Sequence, residues 1–95
     1  MKTIYKYPLE HKLGQTIHVP ALWENGKELT FAEQVLKVEM QNGEPYIWVL
    51  VNTDCDMVSR RILIKGTGHD CADIAKADYI GTFQVDVFVW HVFAV

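Results

Sequence analysis

The chain has 95 residues, a length that suits one domain spanning 1–95 and not two. Hydrophobic residues make up 49% and charged residues 22%, which is a globular composition and excludes a disordered chain. With 9 basic and 12 acidic residues the net charge is −3, which speaks against general binding to nucleic-acid backbone, and no apolar run is long enough to span a bilayer.

The period is that of strands nearly everywhere. Thr3-Ile4-Tyr5-Lys6-Tyr7 alternates and stops at Pro8, as an edge strand does. Gln15 to Val19 is a second short strand, closed by Pro20. Trp23 to Lys27 reads as a turn around Asn25-Gly26, and Thr30 followed by Glu33 is a capping-box pattern for a short helical turn over Phe31 to Val35. Leu36, Val38 and Met40 then alternate with Lys37, Glu39 and Gln41, and Tyr46 to Val51 follows across Asn42-Gly43. Asn-Gly between two such runs predicts a hairpin joining Leu36–Gln41 to Glu44–Val51, because a type I′ turn needs φ > 0 at both central positions. Asn52 to Ser59 is a polar loop and Arg60 to Lys65 a strand ending at Gly66-Thr67-Gly68. His69 to Lys76 reads as a loop or one helical turn. Tyr79 to Gln84 is a strand with a glycine, as at a bulge, and Val85 to Val95 is a last strand apolar on both faces.

About seven short strands with tight connections and at most one short helix predict a mainly β fold, a single antiparallel sheet domain that is barrel-like or a sandwich. Area scaling buries about 65% of the unfolded surface for a chain of this size, enough for a core without staples. Cys55 and Cys71 are too few for a disulfide scaffold and fit a reduced compartment. The opening Met-Lys-Thr-Ile-Tyr-Lys-Tyr-Pro places charges and a proline where a signal peptide needs an apolar stretch. A strand apolar on both faces is covered on both faces. This predicts a homodimer or higher oligomer through Phe88, Trp90 and Val92.

Catalytic signals are absent. His69, Asp70, Cys71 and Asp73 are ligand types within five residues, but without the paired Cys or His spacing of a zinc site they read as a solvated turn. Ser59 lacks a nucleophile-elbow context, and Cys71 and His69 are too close along a loop to face each other. No metal, cofactor or catalytic residue is expected. The better signal is anionic: Gly66, Thr67, Gly68 and His69 follow a strand directly, and such a turn can aim successive N–H groups at a phosphate. Arg60 and Arg61 begin the same strand, with alternation sending one to each face. Trp23, in its polar turn, is the aromatic least explained by packing.

Lys6-Tyr7-Pro8-Leu9, Gln41-Asn42-Gly43 with Ile47-Trp48, Arg60-Arg61, Gly66-Thr67-Gly68-His69, Tyr79-Ile80-Gly81-Thr82-Phe83-Gln84 and His91-Val92-Phe93 occur in that order. In these blocks the chain resembles a family of small, uncharacterised bacteriophage and prophage proteins. Ala21 to Gln34 is longer than the proline-glycine turn of that pattern. The resemblance implies phage origin and the host cytoplasm, and by analogy a counter-defence role exercised by stoichiometric binding. The expected function is therefore a non-catalytic binding protein, in its sharper form an oligomeric sponge for a phosphorylated or nucleotide signal. In that form Arg60 or Arg61 neutralises phosphate and an aromatic stacks the base. The alternative is a protein-binding inhibitor of a host defence protein, or a phage assembly factor; an enzyme using His69 comes third.

Overall fold

The computed structural model describes residues 1–74 and 76–95; Ala75, in the expected His69–Lys76 loop, lies outside the described residues. The strands are β1 (Lys2–Pro8), β2 (Gly14–Pro20), β3 (Trp23–Glu24), β4 (Lys27–Glu28), β5 (Val35–Gln41), β6 (Glu44–Asn52), β7 (Met57–Gly66), β8 (Asp78–Val85) and β9 (Phe88–Ala94). One helical turn, α1 (Phe31–Gln34), precedes β5, and a 3-10 turn covers Ala72–Ile74. A three-stranded sheet in the order β1-β6-β5 packs against a four-stranded sheet in the order β2-β7-β9-β8, with β3-β4 a separate ribbon. Every pairing is antiparallel, and the result is a sandwich and not a closed barrel.

Alternation builds the core. On β6, Pro45, Ile47, Val49 and Val51 are buried while Tyr46, Trp48 and Leu50 face outward. Opposite them lie Val19, Ile62, Ile64, Phe83, Val92 and Ala94 of the larger sheet. Each fully buried aliphatic contributes about 1.5–3 kcal/mol relative to exposure. The expected hairpin is present: Asn42 and Gly43 take φ of 52° and 81°, the left-handed values of a type I′ turn. Asn25 and Gly26 turn β3 into β4 with the same signs. The capping box also forms, Thr30 Oγ1 accepting from the Glu33 N–H and the Glu33 carboxylate accepting from the Thr30 N–H.

The last strand departs from expectation. Val85 to Val95 is broken at Asp86-Val87, with Asp86 at φ 53°, so that Val85 ends β8 and Phe88 opens β9. No glycine or asparagine marks this turn, and the apolar run conceals it. β9 then lies between β7 and β8, hydrogen-bonded on both sides. Its two-sided apolar character is that of a central strand, and its inner face is covered by the other sheet of the same chain. Val92, expected at an interface, is 0% exposed within this core and has nothing to offer a second subunit.

Gly81 sits at an irregularity in β8, where the register shifts between Tyr79 and Gly81. A Cβ there would lie 2.8 Å from Cβ and Cγ2 of Val38, so only glycine lets β8 close against β5. The bulge also inverts the parity of β8: Tyr79 and Thr82 both face outward.

Candidate functional site

β7 carries both arginines, and alternation separates them. Arg60 points inward at the rim of the sandwich, its side chain 15% exposed. Its Nη2 donates to Leu29 O at 3.2 Å and to Gln34 Oε1 at 2.8 Å, with the Glu28 carboxylate 3.9 Å away. The guanidinium lies 5.8 Å from the centre of the Phe31 ring. Gln34 is fully buried and spends its amide on Pro20 O and Leu50 O, at 3.1 and 3.0 Å. Arg60 therefore ties α1 to β7. Gly66 is six residues further along β7, roughly 20 Å away, so Arg60 shares no site with the glycine turn.

Most N–H groups of the turn are already engaged, within it and on β9. The His69 N–H donates to Gly66 O at 3.0 Å, the Thr67 N–H to Val89 O at 3.2 Å, and the Gly66 N–H to His69 Nδ1 at 3.1 Å. Gly68 takes φ 91°. An anion nest needs convergent N–H groups that are unengaged, and three of these four are already used. The expected phosphate cradle is thus a turn bonded to itself and to Val89 of β9. Trp23 lies elsewhere again, exposed on the β3-β4 ribbon beside Asp54, Cys55, Asp56 and Met57. Among the described residues no group of three or more His, Cys, Asp or Glu side chains is arranged to hold a metal ion.

A different constellation forms on the outer face of the four-stranded sheet. The register aligns Gly14, Leu63, Phe93 and Tyr79 in one row across β2, β7, β9 and β8. Arg61 caps one end of that row: a Cβ at Gly14 would fall 2.5 Å from its Nη2, so the guanidinium rests on the bare glycine. Phe93 and Tyr79 meet edge to face, centroids 5.2 Å apart at 90°. The next row is Lys65, His91 and Thr82. His91 is held between two hydroxyls, Nε2 at 2.8 Å from Thr67 Oγ1 and Nδ1 at 3.1 Å from Tyr79 Oη. Lys65 donates to Asp73 at 2.9 Å; that hydrogen bond holds the Asp73 carboxyl below its ordinary range and the Lys65 ammonium above its own.

Charge is segregated around this face. Of the 12 acidic residues, only Asp78 belongs to the four strands, and it pairs with Ala94 and lines the inner recess beside Arg60. The outward positions therefore offer Arg61, and Lys65 paired with Asp73 from the neighbouring turn, beside an aromatic pair, with no carboxylate from their own strands. Such a face can stack a planar ring and neutralise an anionic group beside it. Thr67 and Arg61 belong to the expected set and reach it; Arg60, Gly66, Gly68, His69 and Trp23 do not. Lys65, Tyr79, His91 and Phe93 were missed, because only the register across three strands, and the bulge that inverts β8, places them together.

At the end of the same sheet, Gly66, Thr67, His69, Val87, Phe88 and Trp90 line a recess of about 430 Å³. His69 lies edge-on to Trp90 at 5.7 Å, and Gly66 leaves room for both, since a Cβ there would fall 2.9 Å from the His69 ring.

Sandwich and face together define a small antiparallel β-domain whose four-stranded sheet carries a cationic, aromatic outer face, with no membrane-crossing helix among its described residues. The chain belongs to the family described as a domain of unknown function (DUF7352), whose model matches residues 1–95. No curated protein and no solved structure matches it.

Proposed function

We propose that this chain is a non-catalytic binding protein whose outer four-stranded face takes a phosphorylated ligand bearing a planar base. The charge pattern carries the reading: in a chain of net charge −3, none of the four strands puts a carboxylate on this outer face, where Arg61 and Lys65, the latter met by Asp73 from the neighbouring turn, flank Phe93 and Tyr79. The resemblance to small phage proteins supports an accessory role in an infected cell, where a counter-defence factor needs capture and not turnover. In this site Arg61 supplies the phosphate contact and Tyr79 or Phe93 the stack, while the Thr67 and Tyr79 hydroxyls fix the His91 ring beneath them. Capture near 1 μM requires about −8 kcal/mol. One stack supplies roughly 1–3 kcal/mol and one charge-assisted contact roughly 1.5–3 kcal/mol. A single phosphate falls short, so the favoured ligand carries two phosphates, meeting Arg61 and Lys65 on the same strand face.

Calorimetric titration of about 100 μM protein against linear and cyclic mono- and dinucleotides tests this. Arg61→Ala should weaken binding roughly 10- to 150-fold, the loss of one charge-assisted contact. Asp73→Asn, which releases Lys65, should tighten it. Absence of heat with every phosphorylated ligand would transfer the function to a protein partner.

A further inference from the structure

Trp23 is a large aromatic that neither the core nor the outer sheet face uses. It is 54% exposed and makes no aromatic or cation–π pair among the described residues. Met57, equally exposed, lies beside it, and the two line a recess of about 530 Å³ with Glu28, Asp54 and Asp56. Binding sites commonly enclose roughly 300–1,000 Å³. Among the described residues no lysine, arginine or histidine lines this recess. We infer that it takes an arginine-bearing basic segment of a protein partner, one guanidinium lying flat on the Trp23 indole and reaching the Asp56 carboxylate.

The walls are pinned before any partner arrives. The Ala21 N–H donates to Asp56 O at 3.0 Å, and Ala21 O accepts from the Asn52 N–H at 3.2 Å. The foot of the β3-β4 ribbon is thereby tied to the loop between β6 and β7. The Leu29 N–H donates to Leu22 O at 2.8 Å and closes the base of the ribbon. Above it Trp23 and Glu28 are register partners, so indole and carboxylate stand side by side. A site already held in shape spends little on ordering when a partner binds.

Charge selects the occupant. Asp54 is engaged by the Met1 ammonium at 2.8 Å, and Glu28 lies 3.9 Å from Arg60. Asp56 has no ion pair among the described residues. The carboxylates are not gathered as a metal ion requires. They are spread along a wide recess with an indole and a thioether, which suits an extended organic cation. A guanidinium is planar, stacks on an indole and offers a fork to a carboxylate, whereas an ammonium is a compact point charge. The Met57 thioether adapts to the aliphatic stem. Carboxylates from two separate elements can meet two basic residues of one segment, where a small cation would use one. The recess shares no residue with the outer face proposed for the nucleotide, so either proposal can fail without the other.

NMR titration with the end-blocked peptide Gly-Arg-Gly-Arg-Gly tests it, followed at the Trp23 indole N–H and the Met57 methyl. The citrulline counterpart keeps the size of the side chain and removes its charge. Wild type should bind the arginine peptide about tenfold tighter than the citrulline one. Trp23→Ser should weaken binding roughly tenfold, the loss of the stack, and Asp56→Asn about threefold, the loss of an exposed ion pair. Glu44→Gln, the same change of charge at the far hairpin, should cost less than about twofold. All three positions are exposed, and unchanged circular dichroism confirms that the variants fold. No shift at about 2 mM arginine peptide overturns the site, since even millimolar binding would then register. Equal binding of the two peptides overturns it as well, and so does a loss in Glu44→Gln that matches Asp56→Asn. Choline bound as tightly as the peptide would make this a small-cation site and overturn the protein segment.

Discussion

Replacing Arg60 by methionine should cost the fold about 3 kcal/mol, whereas Arg61→Met should cost almost nothing. The magnitude comes from what Arg60 leaves behind. Its Nη2 holds Gln34 Oε1 at 2.8 Å and Leu29 O at 3.2 Å, and Gln34 is fully buried. Methionine fills most of the stem volume but donates nothing, so a buried amide oxygen loses its partner. An orphaned buried acceptor costs about 1–3 kcal/mol, and hydrogen bonds from a charged donor sit at the upper end of the range. Glu28, partly exposed and 3.9 Å distant, adds little. In a domain of this size each kcal/mol moves the melting point by about 4–8 °C, so Arg60→Met should melt roughly 12–24 °C below wild type. Arg61 rests on Gly14 at the surface, where substitutions stay within about 0.5 kcal/mol. Urea and thermal unfolding, followed by tryptophan fluorescence, measure both. Equal losses for the two variants, or less than about 1 kcal/mol for Arg60→Met, would refute the assignment of Arg60 to the fold. Ligand heat that vanishes in a folded Arg60→Met would refute it as well.

Gly81→Ala should destabilise by about 1–3 kcal/mol, because its Cβ meets Val38 at 2.8 Å. Adding Val38→Ala should recover part of that loss in a double-mutant cycle, since the two positions touch. The Lys65–Asp73 pair should shape stability at both ends of the pH scale. Asp73 titrates below its ordinary 3.8 in the fold, so its contribution is present above that value and is lost as pH falls through the lowered one. Lys65 titrates above its ordinary 10.5, so its contribution is present below that value and is lost as pH rises through the raised one. Asp73→Asn should flatten both limbs of a stability-against-pH curve; an unchanged curve would show that the pair does not form in solution.

Legibility in the sequence followed the range of the interaction. Asn42-Gly43, Thr30 with Glu33 and the alternation of β6 are local devices, each complete within a few residues, and each appears where the sequence predicts it. The turn at Asp86-Val87 was hidden for the same reason in reverse. Nothing local distinguishes it from the apolar residues on either side, and the pairing of Val85 with Phe88 exists only once β8 and β9 are neighbours.

The sequence by itself determined an antiparallel β-domain, its principal hairpin, and the opposite directions of Arg60 and Arg61, because period-two alternation and turn chemistry act between adjacent residues. Tertiary structure alone decided what each arginine is for. Arg60 meets Gln34 from 26 positions away, and Arg61 meets a bare Gly14 across a strand pair, so one becomes a strut and the other a surface cation. The same holds for Lys65, His91 and Tyr79, drawn from three strands into one face by register and by a single bulge. Register is set by the fit of two whole sheets over a common core, a sum over many weak contacts that no short stretch of sequence contains.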